Sequence, residues 1–597
     1  MLFPRLLPTF FVSIFLLLVV TTPFAWGSPE PVTAIKDRDT AFALRFGDHF
    51  LGAYWHEYPD TAIAAGYYRV AERLKVPDAA ARLSERDFLA NWRAQLHAFD
   101  PSTLDDRNRT DWLLIENQLE LQRWALDELQ DWRWNPANYN VADPFAMLLN
   151  TEYAPLDVRL RAVLKRLRWV PAYYAAAKES LERPTREHTQ LAIRQNQGAL
   201  DVFGDDLEKQ IATSKLTPTE RRLFTQRVAA ARMAIEDYIG WLKALDERQA
   251  RSGEARSFRI GGALYDRKFQ YEVQSGYSAL GLFQRAQQEK ERLHARMAAL
   301  ADELWPKIFP NETKPDERLD KIGRVIAKLS EQHTTPAKFV ADVKQQIPAL
   351  EAWVVAHQLI ALDPAKPLQV RETPSYQRGV AVAGIQAPGP YDPGAKTYYN
   401  VEPLDDKTPE QAESFLREYN DWILQILNIH EAVPGHYVQL IYSNRSPSRI
   451  KSVFGNGAMV EGWAVYGERM MLESGYGANT PEMWLMYSKW NLRTVCNTIL
   501  DYGVHVLGMS EDDAKKLLTR EAFQSQAEAD GKWRRVQLTS VQLTSYFSGY
   551  AEIYDFREEL KKAQGPDFDL KHFHEQFLSY GSAPVRVIRA LMQPSAP

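Results

Sequence analysis

The sequence predicts a mainly α-helical protein of two closely packed helical halves, with a small antiparallel sheet beside a metal-binding helix in the second half. A helical spacing of apolar and aromatic residues runs through most of the 597-residue chain. Between Asp363 and Pro403, prolines and glycines recur around short β-prone runs. Without internal repeats or a clear linker, we expect a signal peptide at 1–27, an N-terminal half at 28–255 and a C-terminal half at 256–597.

The first 27 residues have the pattern of a secretory signal peptide. Arg5 precedes an apolar run from Leu6 to Val20, and Ala25 and Gly27 are small residues at the two positions that determine cleavage. We therefore predict export to the periplasm, with no stable membrane association after cleavage. An uncleaved anchor is the alternative, because the stretch could just span about 30 Å of hydrocarbon.

Composition excludes several classes of protein. With 45% hydrophobic and 25% charged residues the chain is typical of soluble globular proteins, and its net charge of −5 without a basic tract argues against nucleic acid as a partner. The single cysteine, Cys496, can form no intramolecular disulfide, and we expect it to be a small buried apolar residue. No cysteine closely follows the apolar run, which excludes a lipid-modified cysteine there.

The first half is predicted to be helical from Asp37 to about Lys243, with loops at 100–103 and 135–136. Its best-marked helix start is at Thr217, which can cap the helix, while Pro218 suits the first helical position and Glu220 can reach back to the Thr217 amide.

The second half combines the predicted strands with a strongly amphipathic helix. The β-prone runs are 380–385 and 397–401. A helical stripe then leads into His430. Its members are Phe415, Tyr419, Trp422 and Ile426.

The most informative segment is the run His430-Glu431-Ala432-Val433-Pro434-Gly435-His436. Two imidazoles suit Zn²⁺ as ligands, and a carboxylate beside them can accept a proton from an activated water. The histidines are six positions apart, a rotation of about 240° on a continuous helix, so their rings would diverge. Because proline and glycine disfavour a continuous helix, we predict a break at 433–435 that returns His436 toward His430.

A carboxylate further along the chain is predicted to complete the metal site. Glu461 lies 25 positions after His436, enough for a loop and a returning helix, although a solvated helix carboxylate is the alternative. Glu468 shares its helix face but lies about 10.5 Å further along the axis, too far for both to bind one ion. We therefore predict that Glu468 either supports a metal ligand from behind or has a structural role, and that it pairs with Arg469 or Arg493.

A stripe of polar residues four positions apart lies in an apolar segment and consists of Arg493, Asn497, Asp501 and His505. Buried polar groups need partners. One interpretation is an outer layer of the site, in which Asp501 orients an imidazole and His505 or Arg493 faces the substrate or the oxyanion. The other is a ladder of ion pairs within the stripe. By contrast, His56-Glu57 and His574-Glu575 lack a second histidine at a usable spacing, and we interpret both as packing or surface groups.

Several segments together resemble the bacterial family catalogued as domain of unknown function 885, which is similar to gluzincin metallopeptidases. The resemblance covers most of the chain and is most specific from Tyr398 to Gly581. The matching residues are His430-Glu431, Pro434-Gly435-His436, Glu461-Gly462-Trp463-Ala464, Tyr466, Glu468, Asp501, Gly503, His505, Gln542-Leu543, Ser545-Tyr546, Gly549, Arg557, Phe568-Asp569-Leu570 and Phe573-His574.

The resemblance implies a zinc site of His430, His436 and Glu461, with Glu431 as the general base. It also implies that Tyr546 or His505 supports the oxyanion. A substrate-binding edge strand at Tyr398-Tyr399-Asn400 is implied as well.

The sequence thus predicts an exported zinc-dependent peptidase acting on peptides. One alternative is a zinc hydrolase of a non-peptide amide or ester, because the metal chemistry would be the same. Another is a non-catalytic exported helical binding protein with a structural zinc, which a fourth protein ligand would indicate.

Overall fold

Helices form most of the computed structural model, which describes residues 38–374, 382–392, 396–446 and 448–593. The predicted signal peptide at 1–27 lies outside these residues. Within them, every helix is too short or too polar to cross a lipid bilayer. The mainly α-helical fold predicted from the sequence is confirmed.

The first half contains twelve α-helices among the residues described, several joined by short 3₁₀ or π-helical turns. They are α1 (Arg38–Phe42), α2 (Leu51–Glu57), α3 (Pro59–Ala64), α4 (Ala79–Leu96), α5 (Asp106–Trp124), α6 (Asp131–Trp134), α7 (Ala142–Asn150), α8 (Leu156–Leu167), α9 (Val170–Ser180), α10 (Arg186–Val202), α11 (Asp205–Thr213) and α12 (Pro218–Ser252).

The second half adds fifteen α-helices and three strands over the described residues. Four helices precede the sheet: α13 (Gly262–Glu272), α14 (Ala279–Ile308), α15 (Arg318–Leu329) and α16 (Phe339–Ala356). The strands are β1 (Leu368–Glu372), β2 (Ala383–Gln386) and β3 (Thr397–Val401). The helices after the sheet are α17 (Pro409–Glu418), α18 (Asp421–Glu431), α19 (His436–Arg445), α20 (Arg449–Val453), α21 (Gly457–Glu473), α22 (Pro481–His505), α23 (Glu511–Lys516), α24 (Gln526–Leu538), α25 (Ser545–Gln564), α26 (Leu570–Ser579) and α27 (Val585–Met592).

The predicted start of α12 is confirmed. The Thr217 hydroxyl accepts a hydrogen bond from the Glu220 amide at 3.2 Å, and the Glu220 carboxylate accepts one from the Thr217 amide at 2.8 Å. Pro218 occupies the first turn, where a missing N–H costs nothing. Gly253 then ends the helix with a φ of 67°, a conformation that favours glycine.

The sheet is mixed, so the prediction of an antiparallel sheet is wrong in part. The strand order is β1-β3-β2, with β3 in the middle. β1 pairs in parallel with β3, from Leu368 opposite Thr397, while β2 pairs with β3 antiparallel, from Ala383 opposite Val401. The connection from β1 to β3 is long enough for the chain to return to its starting edge, which a parallel pair requires.

The hydrophobic core is divided along the chain. The largest cluster of buried residues is built only from residues at and after Phe258, whereas two other clusters draw mainly on residues before Gly253. Helix α20 links the halves, because Ile450 and Phe454 pack into a first-half cluster. Cys496 is buried in the large core as predicted. The boundary at 255 stays a prediction, although it falls between these clusters.

Candidate metal centre

The segment that the sequence predicts to bind a metal is broken where the sequence predicted. Helix α18 ends at Glu431 and α19 begins at His436, and the Val433–Pro434 peptide bond between them is cis. The indole of Trp463 donates to the Pro434 carbonyl at 2.8 Å, which holds the turn against α21. The ring centroids of His430 and His436 are consequently only 4.8 Å apart.

Gly435 makes this turn possible through close backbone contact. Its φ is −70°, so a left-handed conformation is not the reason for glycine. A Cβ atom there would lie 1.8 Å from the His430 carbonyl oxygen and 2.4 Å from that of Ile429. Any larger residue would therefore push the start of α19 away from the end of α18.

Changing Gly435 to Ala is expected to separate the two histidines and weaken metal binding. Overpacking of this kind costs about 1–3 kcal/mol, which corresponds to a loss of about 10- to 100-fold in zinc affinity if the strain falls on the site. Zinc affinity measured by competition with a chelator tests this. Gly457→Ala, at a position with nothing within 4 Å of the added Cβ, is the control; equal affinities in the two variants would refute the steric argument.

Three ligand atoms converge on one point. The Oε2 atom of Glu461 lies 3.8 Å from Nε2 of His430 and 3.4 Å from Nε2 of His436. Two ligands each about 2.1 Å from a tetrahedral zinc ion are about 3.4 Å apart, so these separations match that geometry. Glu431 lies beside them, and ligand atoms of His430, Glu431 and His436 all fall within 4.8 Å of one another.

The donor set fits a zinc ion. Two imidazoles and one carboxylate, with room for a fourth ligand, are typical of catalytic zinc sites. Nδ1 of His436 and Oε2 of Glu468 are both buried and have no hydrogen-bond partner among the described residues. Unsatisfied buried atoms also occur elsewhere in the described residues, for example at Trp124 and Thr498, so the donor set itself, and not these two atoms, supports a metal ion.

Glu468 orients the first histidine. Its Oε1 atom lies 2.7 Å from Nδ1 of His430 and accepts a second hydrogen bond from the indole of Trp490 at 3.0 Å. Because Nδ1 donates its proton to the carboxylate, Nε2 is directed at the metal position. The predicted pairing of Glu468 with Arg469 or Arg493 is wrong, since these arginines pair with other glutamates. The contact between Trp490 and Glu468 was not predicted from the sequence.

The charges of the centre favour a cation. Burial alone would lower the pKa of His430, but its hydrogen bonds with Glu461 and Glu468 outweigh this effect and raise that pKa to about 10. Burial would likewise raise the pKa of Glu461, yet the two imidazoles hold it well below its usual range. Burial raises the pKa of Glu431 and of Glu468, partly opposed by the histidines. Three carboxylates, of which Glu468 is fully buried and the other two are partly buried, thus lie around two imidazoles, an arrangement that positive charge stabilises.

Changing Glu468 to Gln is expected to weaken zinc binding by about 10- to 100-fold, because the amide keeps the shape of the contact but removes the charge that strengthens the histidine ligand. Zinc affinity by chelator competition is the measurement. Glu473→Gln, which alters an ion pair with Arg469 on the same helix, is the control. Equal affinities for wild type and Glu468→Gln would show that the contact does not support a metal ligand.

The structure separates Tyr546 from His505. Tyr546 lies in the first turn of α25, the helix that contacts α21 at Gly462, next to Glu461. Burial and then the negative charge of Glu461 raise the pKa of its hydroxyl. His505 instead hydrogen-bonds to the carbonyls of Val536 and Thr539 at 2.8 and 2.9 Å. Its contacts are structural, and among the described residues none joins it to the histidine pair.

The other polar residues of the stripe on α22 form ion pairs and hydrogen bonds with neighbouring helices and loops. Arg493 pairs with Glu528 at 2.8 Å, and Asn497 hydrogen-bonds to Lys532, both on α24. The Asp501 carboxylate accepts hydrogen bonds from the Tyr265 hydroxyl and from the backbone amides of residues 541 and 543. Asp501 therefore orients no imidazole of the centre. The alternative of a self-contained ladder is also wrong, because the partners belong to other elements.

Strand β3 contacts helix α18, which carries His430, on the side of the hydrophobic core. The prediction of an edge strand at Tyr398-Tyr399-Asn400 is wrong, because β3 is paired on both sides and cannot pair with a peptide backbone. The buried Tyr399 hydroxyl donates to the Asn428 side chain on α18 at 2.9 Å. On the other face, the Arg371 guanidinium lies 3.6 Å from the Tyr398 ring and donates to Asn400 at 2.7 Å.

Helices α21 and α25 are in backbone contact beside Glu461. A Cβ at Gly549 would lie 1.7 Å from the Ala458 carbonyl oxygen, and one at Gly462 would lie 2.3 Å from the Gly549 carbonyl carbon. Both glycines stood in the family pattern, but nothing in the sequence indicated that they face each other. Their contact fixes the helix that carries Glu461 and Glu468.

Of the predicted site residues, the structure thus brings together His430, Glu431, His436, Glu461 and Glu468, with Tyr546 nearby. Tyr399 contacts the same helix as His430 through Asn428. The other predicted site residues make no hydrogen bond or ion pair with this group among the described residues, and they are Arg493, Asp501, His505, Tyr398 and Asn400. His574 is a packing group as predicted, since it lies buried between the Leu359 carbonyl and the Tyr466 hydroxyl. His56 is exposed.

Comparisons with known proteins give a family and a fold. A solved structure from Shewanella oneidensis, of a candidate lipoprotein of unknown function, is 53% identical and covers 92% of this chain and 99% of its own, with a TM-score of 0.85. Another, of a candidate lipoprotein from Colwellia psychrerythraea, is 17% identical, covers 92% and 97%, and has a TM-score of 0.74, so it shows the fold alone. No curated protein matches. Residues 59–592 match the family described as bacterial protein of unknown function (DUF885), and the chain belongs to that family.

Proposed function

We propose that this protein is an exported zinc-dependent peptidase that cleaves peptide bonds with an activated water. The observation that carries the proposal is the convergence of the Glu461 carboxylate on Nε2 of both histidines, at 3.8 and 3.4 Å, with Glu431 beside them. We also propose, from the resemblance of the sequence motif alone, a likeness to gluzincin peptidases, which favours peptides over other amides or esters.

His430, His436 and Glu461 would hold the zinc ion. When bound, Zn²⁺ lowers the pKa of a water molecule and polarises a carbonyl group. Glu431 accepts the proton of that water and passes it to the leaving amine. Burial raises the pKa of Glu431, which suits a group that must both take and return a proton. Glu468 holds His430 in the required orientation.

Tyr546 is the better of the two candidates for stabilising the oxyanion. It lies at the start of the helix that packs against α21 next to Glu461, whereas the hydrogen bonds of His505 are to the carbonyls of Val536 and Thr539. A donor that contacts the developing negative charge contributes about 3 kcal/mol to transition-state binding.

Export is supported by the signal-like pattern of residues 1–27 and by the description of two similar structures as candidate lipoproteins. Lipid attachment is not part of the proposal, because the one cysteine of this sequence is buried in α22.

The test is cleavage of a peptide library by the purified chain lacking residues 1–27, with metal content measured in the same sample. We expect about one zinc per chain, cleavage that a chelator abolishes, and recovery when zinc is added. A library left intact by fully zinc-loaded protein would overturn the peptidase proposal. Cleavage of amide or ester model substrates alone would point to a non-peptide hydrolase.

A further inference from the structure

An exposed arginine without a carboxylate partner contacts Tyr546 at the start of α25. Arg535 is in the last turn of α24, and its Nη2 atom donates to Oε1 of Gln542 at 2.7 Å and to the Tyr546 hydroxyl at 3.3 Å. Nε and Nη1 donate to no protein group, and no acidic side chain forms an ion pair with this guanidinium, in the part of the chain that the structure describes. By contrast, Arg493 on the neighbouring helix pairs with Glu528 at 2.8 Å.

Arg535 contacts α25 through Tyr546. The guanidinium carbon is 6.0 Å from the centre of the Tyr546 ring. Tyr546 lies one turn before Gly549, where α25 touches α21 at Ala458 and Gly462. Arg535 therefore contacts the first turn of the helix that packs against α21 next to Glu461.

Charge determines what this arginine can bind. Even with the two positive charges of a zinc ion, the carboxylates of Glu431, Glu461 and Glu468 leave the centre with a net charge of about −1, which does not favour an approaching carboxylate unless a nearby cation compensates. The planar guanidinium matches a carboxylate with two parallel hydrogen bonds. The two contacts made by Nη2 fix the plane of the group, while Nε and Nη1 face no protein acceptor among the described residues.

We infer that Arg535 binds the terminal carboxylate of the peptide substrate, so that the enzyme cleaves near C-terminal ends. The substrate class is then peptides with a free C-terminus. This inference rests on the proposed peptidase function.

The test compares one randomised pool of N-acetylated hexapeptides, prepared as free acids and as C-terminal amides. We expect the zinc-loaded wild type to cleave the free acids about 10- to 100-fold faster, as hydrogen bonds to a charged group predict. Arg535→Gln should bring the ratio of the cleavage rates of free acids and amides, the acid-to-amide ratio, close to one. Arg535→Lys should restore part of the preference for free acids. Arg534→Gln, which changes the adjacent exposed arginine, should keep the wild-type ratio.

The acid-to-amide ratio separates recognition from a structural role. If Arg535 only positioned Tyr546, its replacement would slow both pools equally and leave the ratio unchanged, which would overturn the inference. Equal cleavage of both pools by the wild type would overturn it as well.

Binding of the same two peptide pools to immobilised Glu431→Gln protein tests the carboxylate site without requiring cleavage. It therefore distinguishes failure of this inference from failure of the peptidase proposal. Preferential capture of free acids, lost when Arg535→Gln is added, supports the carboxylate site even if the zinc-loaded wild type cleaves neither pool. Equal capture of acids and amides contradicts it.

Discussion

Changing Glu431 to Gln is expected to abolish hydrolysis while the protein keeps its zinc. The amide is nearly the same size as the carboxylate but cannot accept the proton of the attacking water. Removal of a general base lowers kcat by about 10²- to 10⁴-fold. Because Glu461 approaches Nε2 of both histidines, the three ligands remain in Glu431→Gln. The test measures peptide cleavage and zinc content on the same sample of Glu431→Gln, and we expect cleavage to be lost and the zinc content to match that of the wild type.

The matched control for Glu431→Gln is Glu461→Gln. Loss of a carboxylate ligand should remove both zinc and activity, because two histidines alone form an incomplete site. If Glu431→Gln lost its zinc and Glu461→Gln kept it, the roles of the two glutamates would be reversed. Full activity of Glu431→Gln would refute its role as the base.

Changing Gly549 to Ala is expected to destabilise the protein more than most single substitutions. Alanine normally favours an exposed helix by up to about 1 kcal/mol over glycine. Here, however, the added Cβ would lie 1.7 Å from the Ala458 carbonyl oxygen, so α21 and α25 must separate. The cost of forcing two packed helices apart is about 3 kcal/mol. Because α21 carries Glu461 and Glu468, zinc affinity should fall as well.

The control for Gly549→Ala is again Gly457→Ala, at the start of α21. An added Cβ there meets nothing within 4 Å, so the melting temperature should stay the same or rise slightly. Thermal unfolding followed by circular dichroism compares the two variants. Equal melting temperatures would show that the helices tolerate a side chain at their contact.

The sequence predicted correctly those parts of the structure that are determined by interactions between residues close together in the chain. The capping box at Thr217 and the break before His436 each follow from a few neighbouring residues. The same holds for the mainly helical fold, because the spacing of apolar residues is repeated in helix after helix.

The errors concern partners that are distant in sequence. Asp501 accepts a hydrogen bond from Tyr265, 236 positions away, and no local pattern indicates that contact. The central position of β3 depends on how β1 and β2 pair with it, which the runs of β-prone residues do not determine. Glu468 was expected to pair with an arginine, yet the fold places His430 and Trp490 against it.

The most direct test of the account is a crystal structure of the zinc-loaded protein with anomalous diffraction measured at the zinc edge. We predict one zinc ion bound by Nε2 of His430, Nε2 of His436 and the Glu461 carboxylate, with a solvent molecule as the fourth ligand beside Glu431. An ion bound elsewhere, or a fourth ligand supplied by the protein, would contradict the proposed catalytic centre.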